Sequence, residues 1–122
     1  MANEMTHGVS LIFAKGGSTV DEAFGSIVSD VSGNSVTHLV QTVGFAADEA
    51  LVMGDVSTPG MIMIRNLDSA NAVHIRQADD AANCIVVKAG DVQLFRFSET
   101  TTAPFVIAIT AAVQIEYWLF ED

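Results

Sequence analysis

Val113-Gln114-Ile115-Glu116-Tyr117-Trp118-Leu119-Phe120 alternates apolar and polar residues at first, then turns apolar throughout. Side chains alternate across a strand. Val113, Ile115, Tyr117 and Leu119 therefore form one face, and the other begins with Gln114 and Glu116 and ends with Trp118 and Phe120. Working back, Ala111-Ala112 is a tight turn, and Phe105 to Thr110 is a strand whose Phe105–Ile109 part is apolar on both faces, as a strand between two layers would be. Before it, Cys84 to Val87 and Val92 to Phe97 flank Lys88-Ala89-Gly90-Asp91. The last third of the chain thus reads as one β-hairpin after another.

The same grammar extends to the rest. Val9 to Ala14 is a strand closed by Lys15-Gly16-Gly17-Ser18. Ser18 or Thr19 ahead of Asp21-Glu22 offers a short helix cap. The β-formers of Phe24 to Val31, with Gly25 poorly placed for a helix, favour a strand over 24–31. Ser35 to Val43 alternates, a single helical turn fits Ala46 to Ala50, and Leu51-Val52-Met53 is short and extended. Gly54-Asp55-Val56-Ser57-Thr58-Pro59-Gly60 is the strongest turn signal, with Pro59-Gly60 matching the central pair of a type II turn. Met61 to Asn66 and Ala72 to Gln77 are strands, separated by a turn over 67–71 and followed by a loop over 78–83. The expectation is an all-β protein: a jelly-roll-like β-sandwich of about nine or ten short strands. Residues 1–7 are expected to form a flexible arm and residues 8–122 a single domain.

Composition narrows the function. The chain has 122 residues, 50% hydrophobic and only 16% charged, so one core hides its apolar surface with difficulty and oligomerisation or docking is expected. Fifteen acidic against five basic side chains give a net charge of −10. Lys15, Arg65, Arg76, Lys88 and Arg96 make no basic patch for nucleic acid, and an anionic membrane surface would repel the chain. The acidity keeps an apolar protein soluble or matches a basic protein partner. No apolar run reaches the length of a membrane helix, and the start lacks the pattern of a secretory signal, so synthesis in a cytoplasm is expected.

Chemistry-bearing patterns are sparse. His7, His38 and His74 share no metal-ligand spacing, and His38 and His74 read as outward strand residues. Asp55, Asp68 and Asp79-Asp80 lie in turns, where Asp bonds its own backbone. Cys84, the single cysteine, precedes Ile85-Val86-Val87 and reads as a small buried hydrophobe. Met61 and Met63 share a strand face and read as core. No nucleophile elbow, phosphate loop or dinucleotide fingerprint occurs. Neither catalytic residues, nor a metal, nor a cofactor is expected.

The segments Leu51 to Gly60, Ile64-Arg65-Asn66-Leu67-Asp68, Ala72-Val73-His74-Ile75, Lys88 to Asp91, Leu94-Phe95-Arg96 and Ala111 to Tyr117 together resemble small virion structural proteins of tailed bacteriophages, the capsid cement or decoration proteins. The resemblance covers roughly residues 49–122. It implies a non-enzymatic, oligomeric protein on the capsid exterior, bridging major capsid subunits; with the self-association expected from composition, a homodimer or homotrimer is expected. The alternative is a carbohydrate- or receptor-binding sandwich of a tail or head fibre; a cupin-type enzyme would need a histidine cluster that this chain lacks. Trp118 and Phe120, then Tyr117, are the expected interface, because the polar face of the last strand runs out after Glu116.

Overall fold

Gly16 and Gly17 make the first turn possible. Both have positive φ, at 60° and 83°, as a two-residue hairpin turn of type I′ demands. They join β1 (Met5–Lys15) to β2 (Ser18–Ser29), which pair antiparallel along their length. A register shift between His7 and Val9 marks a bulge. The computed structural model describes residues 4–122. The chain divides into two compact units, one ending at Ser32 and the other spanning Gly33–Asp122.

The stretch expected as a single domain over 8–122 contains the boundary between the two compact units, after Ser32. Of the arm expected at 1–7, residues 1–3 lie outside the described residues, and Met5, Thr6 and His7 belong to β1, paired with Ser29, Val28 and Ile27. The helix cap near Ser18 is absent: Thr19 and Asp21 lie opposite Ala14 and Ile12. Exposed β-formers on both strands satisfy the ladder better than a helix broken by Gly25 would.

The second unit holds eight strands: β3 (Val36–Val43), β4 (Glu49–Ala50), β5 (Pro59–Asn66), β6 (Val73–Arg76), β7 (Ile85–Val87), β8 (Val92–Arg96), β9 (Phe105–Ala108) and β10 (Val113–Glu121). They form two antiparallel four-stranded sheets, in the orders β3-β10-β5-β8 and β4-β9-β6-β7. The protein is all-β, and this unit has the layering of a β-sandwich. Seven connections join the eight strands, and all but β6–β7 carry the chain from one sheet to the other. That wiring is compatible with the jelly roll expected from the sequence.

It also corrects the opening reading. Lys88–Asp91 and Ala111-Ala112 are tight turns, yet neither closes a hairpin. β7 pairs with β6 and β8 with β5, while β9 pairs with β6 and β4 and β10 with β3 and β5. A turn at the edge of a sandwich can re-pair a strand in its own sheet or pass it to the facing one. Burial on both inner faces decides between them, and turn chemistry does not. Pro59-Gly60 is likewise not a turn. The reversal sits at Gly54, whose φ is 58°, closed by the Val56 N–H donating to the Met53 carbonyl at 3.0 Å. Gly60 runs inside β5, where a Cβ would lie 2.7 Å from that of Asp122 and 3.1 Å from the Phe120 carbonyl oxygen. Its glycine is needed for close approach rather than for positive φ.

The core lies between the sheets. Val43, Ile62, Ile64, Ile115, Tyr117 and Leu119 come from one, and Val73, Ile75, Val87, Val106 and Ala108 from the other. Burying each large side chain contributes roughly 1.5–3 kcal/mol. Polar side chains tie the layers. Asn66, buried at the end of β5, donates to the carbonyls of Asn71 (2.9 Å) and Val87 (3.0 Å), the latter in the opposite sheet, and accepts from the Asp68 N–H. Gln41 on β3 donates to the Ala50 carbonyl and accepts from the Val52 N–H and the Tyr117 hydroxyl. That holds Leu51–Met53 extended without a ladder of its own.

Candidate functional site

The outer face of the β3-β10-β5-β8 sheet is built by the even positions of β10. Register sets its rows. Trp118 stands between His38 on β3 and Met63 on β5, with Leu94 of β8 beyond. Glu116 stands between Val40 and Arg65, with Val92 beyond, and Phe120 lies opposite Val36. Val36, Val40, Met63 and Val92 are all exposed, and Trp118, Phe120 and Leu94 are partly buried. The sequence therefore places Trp118 and Phe120 on the outward face, as expected, and the cover they have within the sheet comes from cross-strand neighbours. The His38 ring stacks on that of Trp118, 4.3 Å between centroids and 11° from parallel.

Charge on this face is locally compensated. Glu116 accepts from His38 Nε2 at 2.9 Å through one oxygen and faces Arg65 Nη1 at 3.7 Å through the other. At the far end of the face Arg96 pairs with Asp122 at 3.3 Å. An exposed pair of this kind adds little stability. Its effect here is to leave apolar side chains around paired charges, the composition of a docking face with Trp, Met and Arg present.

Tyr117 does not belong to this face. It is fully buried, pointing into the core, where its hydroxyl donates to the Val52 carbonyl and to Gln41 Oε1. Burial raises its pKa above the ordinary tyrosine value. It cannot meet a neighbouring chain without unfolding the sandwich, and the alternation that put Trp118 outside puts Tyr117 inside. Met63 is exposed rather than core, whereas Met61 is buried. Cys84 is exposed too, because the ladder of β7 starts only at Ile85. It borders a cleft of about 350 Å³ with walls of Ile75, Ile85, Phe95 and Phe97. His74 lies on the outer face of the second sheet, between Val86 and Ile107, partly buried, with Nδ1 unpartnered.

One acidic group is assembled only by the fold. Among the described residues, Asp48, Asp79 and Asp80 bring carboxylate oxygens within 4.8 Å of one another. The sequence singled out Asp79-Asp80 but not Asp48, which lies 31 residues earlier than Asp79 and carries no local signal. Asp48 accepts from the Asp80 N–H at 2.9 Å and from Arg76 Nη1 at 3.0 Å, and these bonds hold its carboxyl below the ordinary range. Asp79 is pushed up, by desolvation first and then by the charges of Asp48 and Asp80. Arg76 already supplies the positive charge that the cluster calls for. Asp68 behaves as turn chemistry predicts, its carboxylate accepting from the Ala70 and Asn71 N–H groups, which lowers its pKa.

No helix among the described residues is long and apolar enough to cross a membrane. No protein-family model, no curated protein and no solved structure matches the chain. The functional reading therefore rests on its own residues and surfaces.

Proposed function

We propose that this protein is a structural component of a bacteriophage virion, a cement or decoration protein that binds the capsid exterior and stabilises it by bridging major capsid subunits, without enzymatic activity. The observation that carries the docking part is the outer face of the β3-β10-β5-β8 sheet. It presents Trp118, Phe120, Val36, Met63 and Val92 around internally paired charges on a rigid, well-cored scaffold. A net charge of −10 favours approach to basic patches on a shell. Many identical copies turn modest affinity per site into a large total stabilisation.

The carbohydrate-binding alternative is weaker on one point. A sugar needs an open aromatic face, and the His38 ring already stacks on Trp118. The deciding measurement is the protein's copy number in purified virions. A number comparable to that of the major capsid protein is expected, with earlier thermal release of DNA from particles stripped of it. Absence from virions would end the proposal, and low copy number with binding on a glycan array would select the fibre module instead.

A further inference from the structure

The β1–β2 hairpin carries an apolar face with nothing of its own to bury it against. Register puts Val9, Leu11 and Phe13 of β1 on the same side as Phe24, Glu22 and Val20 of β2. The five apolar side chains are between 40% and 61% exposed, and Ile27, next along β2, is 36% exposed. The opposite side bears mostly small or polar residues, Ser10, Ala14, Thr19, Asp21 and Ala23, with Ile12 and, beyond the bulge, Val28. Among the described residues, the buried hydrophobic ones all lie at Val43 or beyond, so the hairpin has no core of its own. An isolated two-stranded hairpin is marginal in water, and an apolar face of this size marks an association surface.

The order of side chains says what fits it. The three central rows read Phe13 beside Val20, Leu11 beside Glu22, and Val9 beside Phe24. Laid against an identical hairpin about a twofold axis parallel to the strands, β1 crosses over the partner's β2. Each phenylalanine then faces a valine, and Leu11 lies over the aliphatic stem of the other copy's Glu22. Large meets small at each end, and the two Glu22 carboxylates stay at opposite margins. The face is self-complementary in the way an isologous interface requires. Each copy offers on the order of 500 Å² of apolar surface, so two together reach the roughly 1,000 Å² at which specific interfaces begin.

We propose that the hairpin is a self-association element, its Val9–Leu11–Phe13 and Val20–Phe24 face packing on the same face of a second copy of this chain. It gives a site to the oligomerisation expected from composition, goes beyond the docking function proposed above, and holds whether or not the protein is found in virions. Sedimentation of the purified full chain at micromolar concentration tests it. The wild type should be oligomeric. Leu11→Asp should weaken association about ten-fold or more, and Ile12→Asp, on the opposite side of the same strand, should not. Val20→Phe adds apolar surface yet should also weaken it, by setting phenylalanine against Phe13, and adding Phe13→Val to that change should restore it. Amide exchange in the wild-type hairpin should speed up on dilution, a readout that needs no variant. A monomeric wild type overturns the proposal. So does an oligomer that Leu11→Asp leaves intact, or one that Val20→Phe tightens, as a merely sticky patch would.

Discussion

The hairpin of β1 and β2 and the sandwich of β3 to β10 are written in the same residues, and only one of them has a core. β1 alternates Val9, Leu11 and Phe13 as regularly as β10 alternates Ile115, Tyr117 and Leu119. The β10 set is fully buried and the β1 set is exposed. Alternation makes a strand and selects a face. Whether that face is hidden depends on a second layer, which the sandwich supplies from its own chain and the hairpin does not. The same pattern is stability in one unit and an invitation to a partner in the other.

The sharpest way to break the comparison is one truncation in each unit. Ile115→Ala should destabilise the sandwich by about 2–5 kcal/mol, lost transfer energy plus a cavity. Leu11→Ala should leave the sandwich's unfolding within about 0.5 kcal/mol of wild type. Chemical denaturation followed by Trp118 fluorescence reads both, and equal losses would mean that the two units unfold as one. Asn66→Ala comes next, at about 1–3 kcal/mol, because the carbonyls of Asn71 and Val87 and the Asp68 N–H all lose a partner. A neutral result in the same assay would show that the tie between sheets is dispensable.

The smallest expected effect concerns acid. Glu121 accepts from the Ser57 N–H at 3.0 Å, the Ser57 hydroxyl at 2.9 Å and the Asn34 N–H at 3.2 Å, and its pKa is lowered, chiefly by the Ser57 backbone bond. A lowered folded-state pKa gives stability that is present above the unfolded value and lost as pH falls through the folded one. Glu121→Gln should therefore lower the sandwich's melting temperature at neutral pH, and the gap to wild type should close below the ordinary carboxylate range. A gap independent of pH would assign the loss to shape rather than charge.

Much of this architecture was legible in the chain. The strands over 36–43, 61–66, 73–76 and 113–120 follow from alternation, and so does the outward placement of Trp118 and Phe120. Tyr117 was legible too, since it shares its parity with Ile115 and Leu119; its aromatic character pulled it toward the interface against that pattern. The destination of each tight turn was not legible, because Lys88–Asp91 has the same local chemistry whether it returns a strand or hands it across. The Asp48–Asp79–Asp80 group and the His38–Trp118 stack join residues far apart in sequence, and no local signal announces such meetings. The bare face of the hairpin was hidden by its own regularity, since an apolar alternation reads as core until the second layer is found missing.

The central place of β10 carries a consequence for how the protein is made. β10 lies between β3 and β5, and among the described residues β3 has no other strand neighbour in its sheet. On the ribosome β3 emerges about seventy residues before the strand it must pair with, at a synthesis rate of ~5–20 residues per second. For several seconds its Leu39 and Val43, and the inner face of β5, have no finished layer to close on. The sandwich is therefore bound to assemble late and through distant pairings, which fold slowly. During that interval the nascent chain is open to chaperones and to neighbouring nascent copies, whereas the hairpin, whose strands are adjacent in sequence, can pair as soon as it emerges.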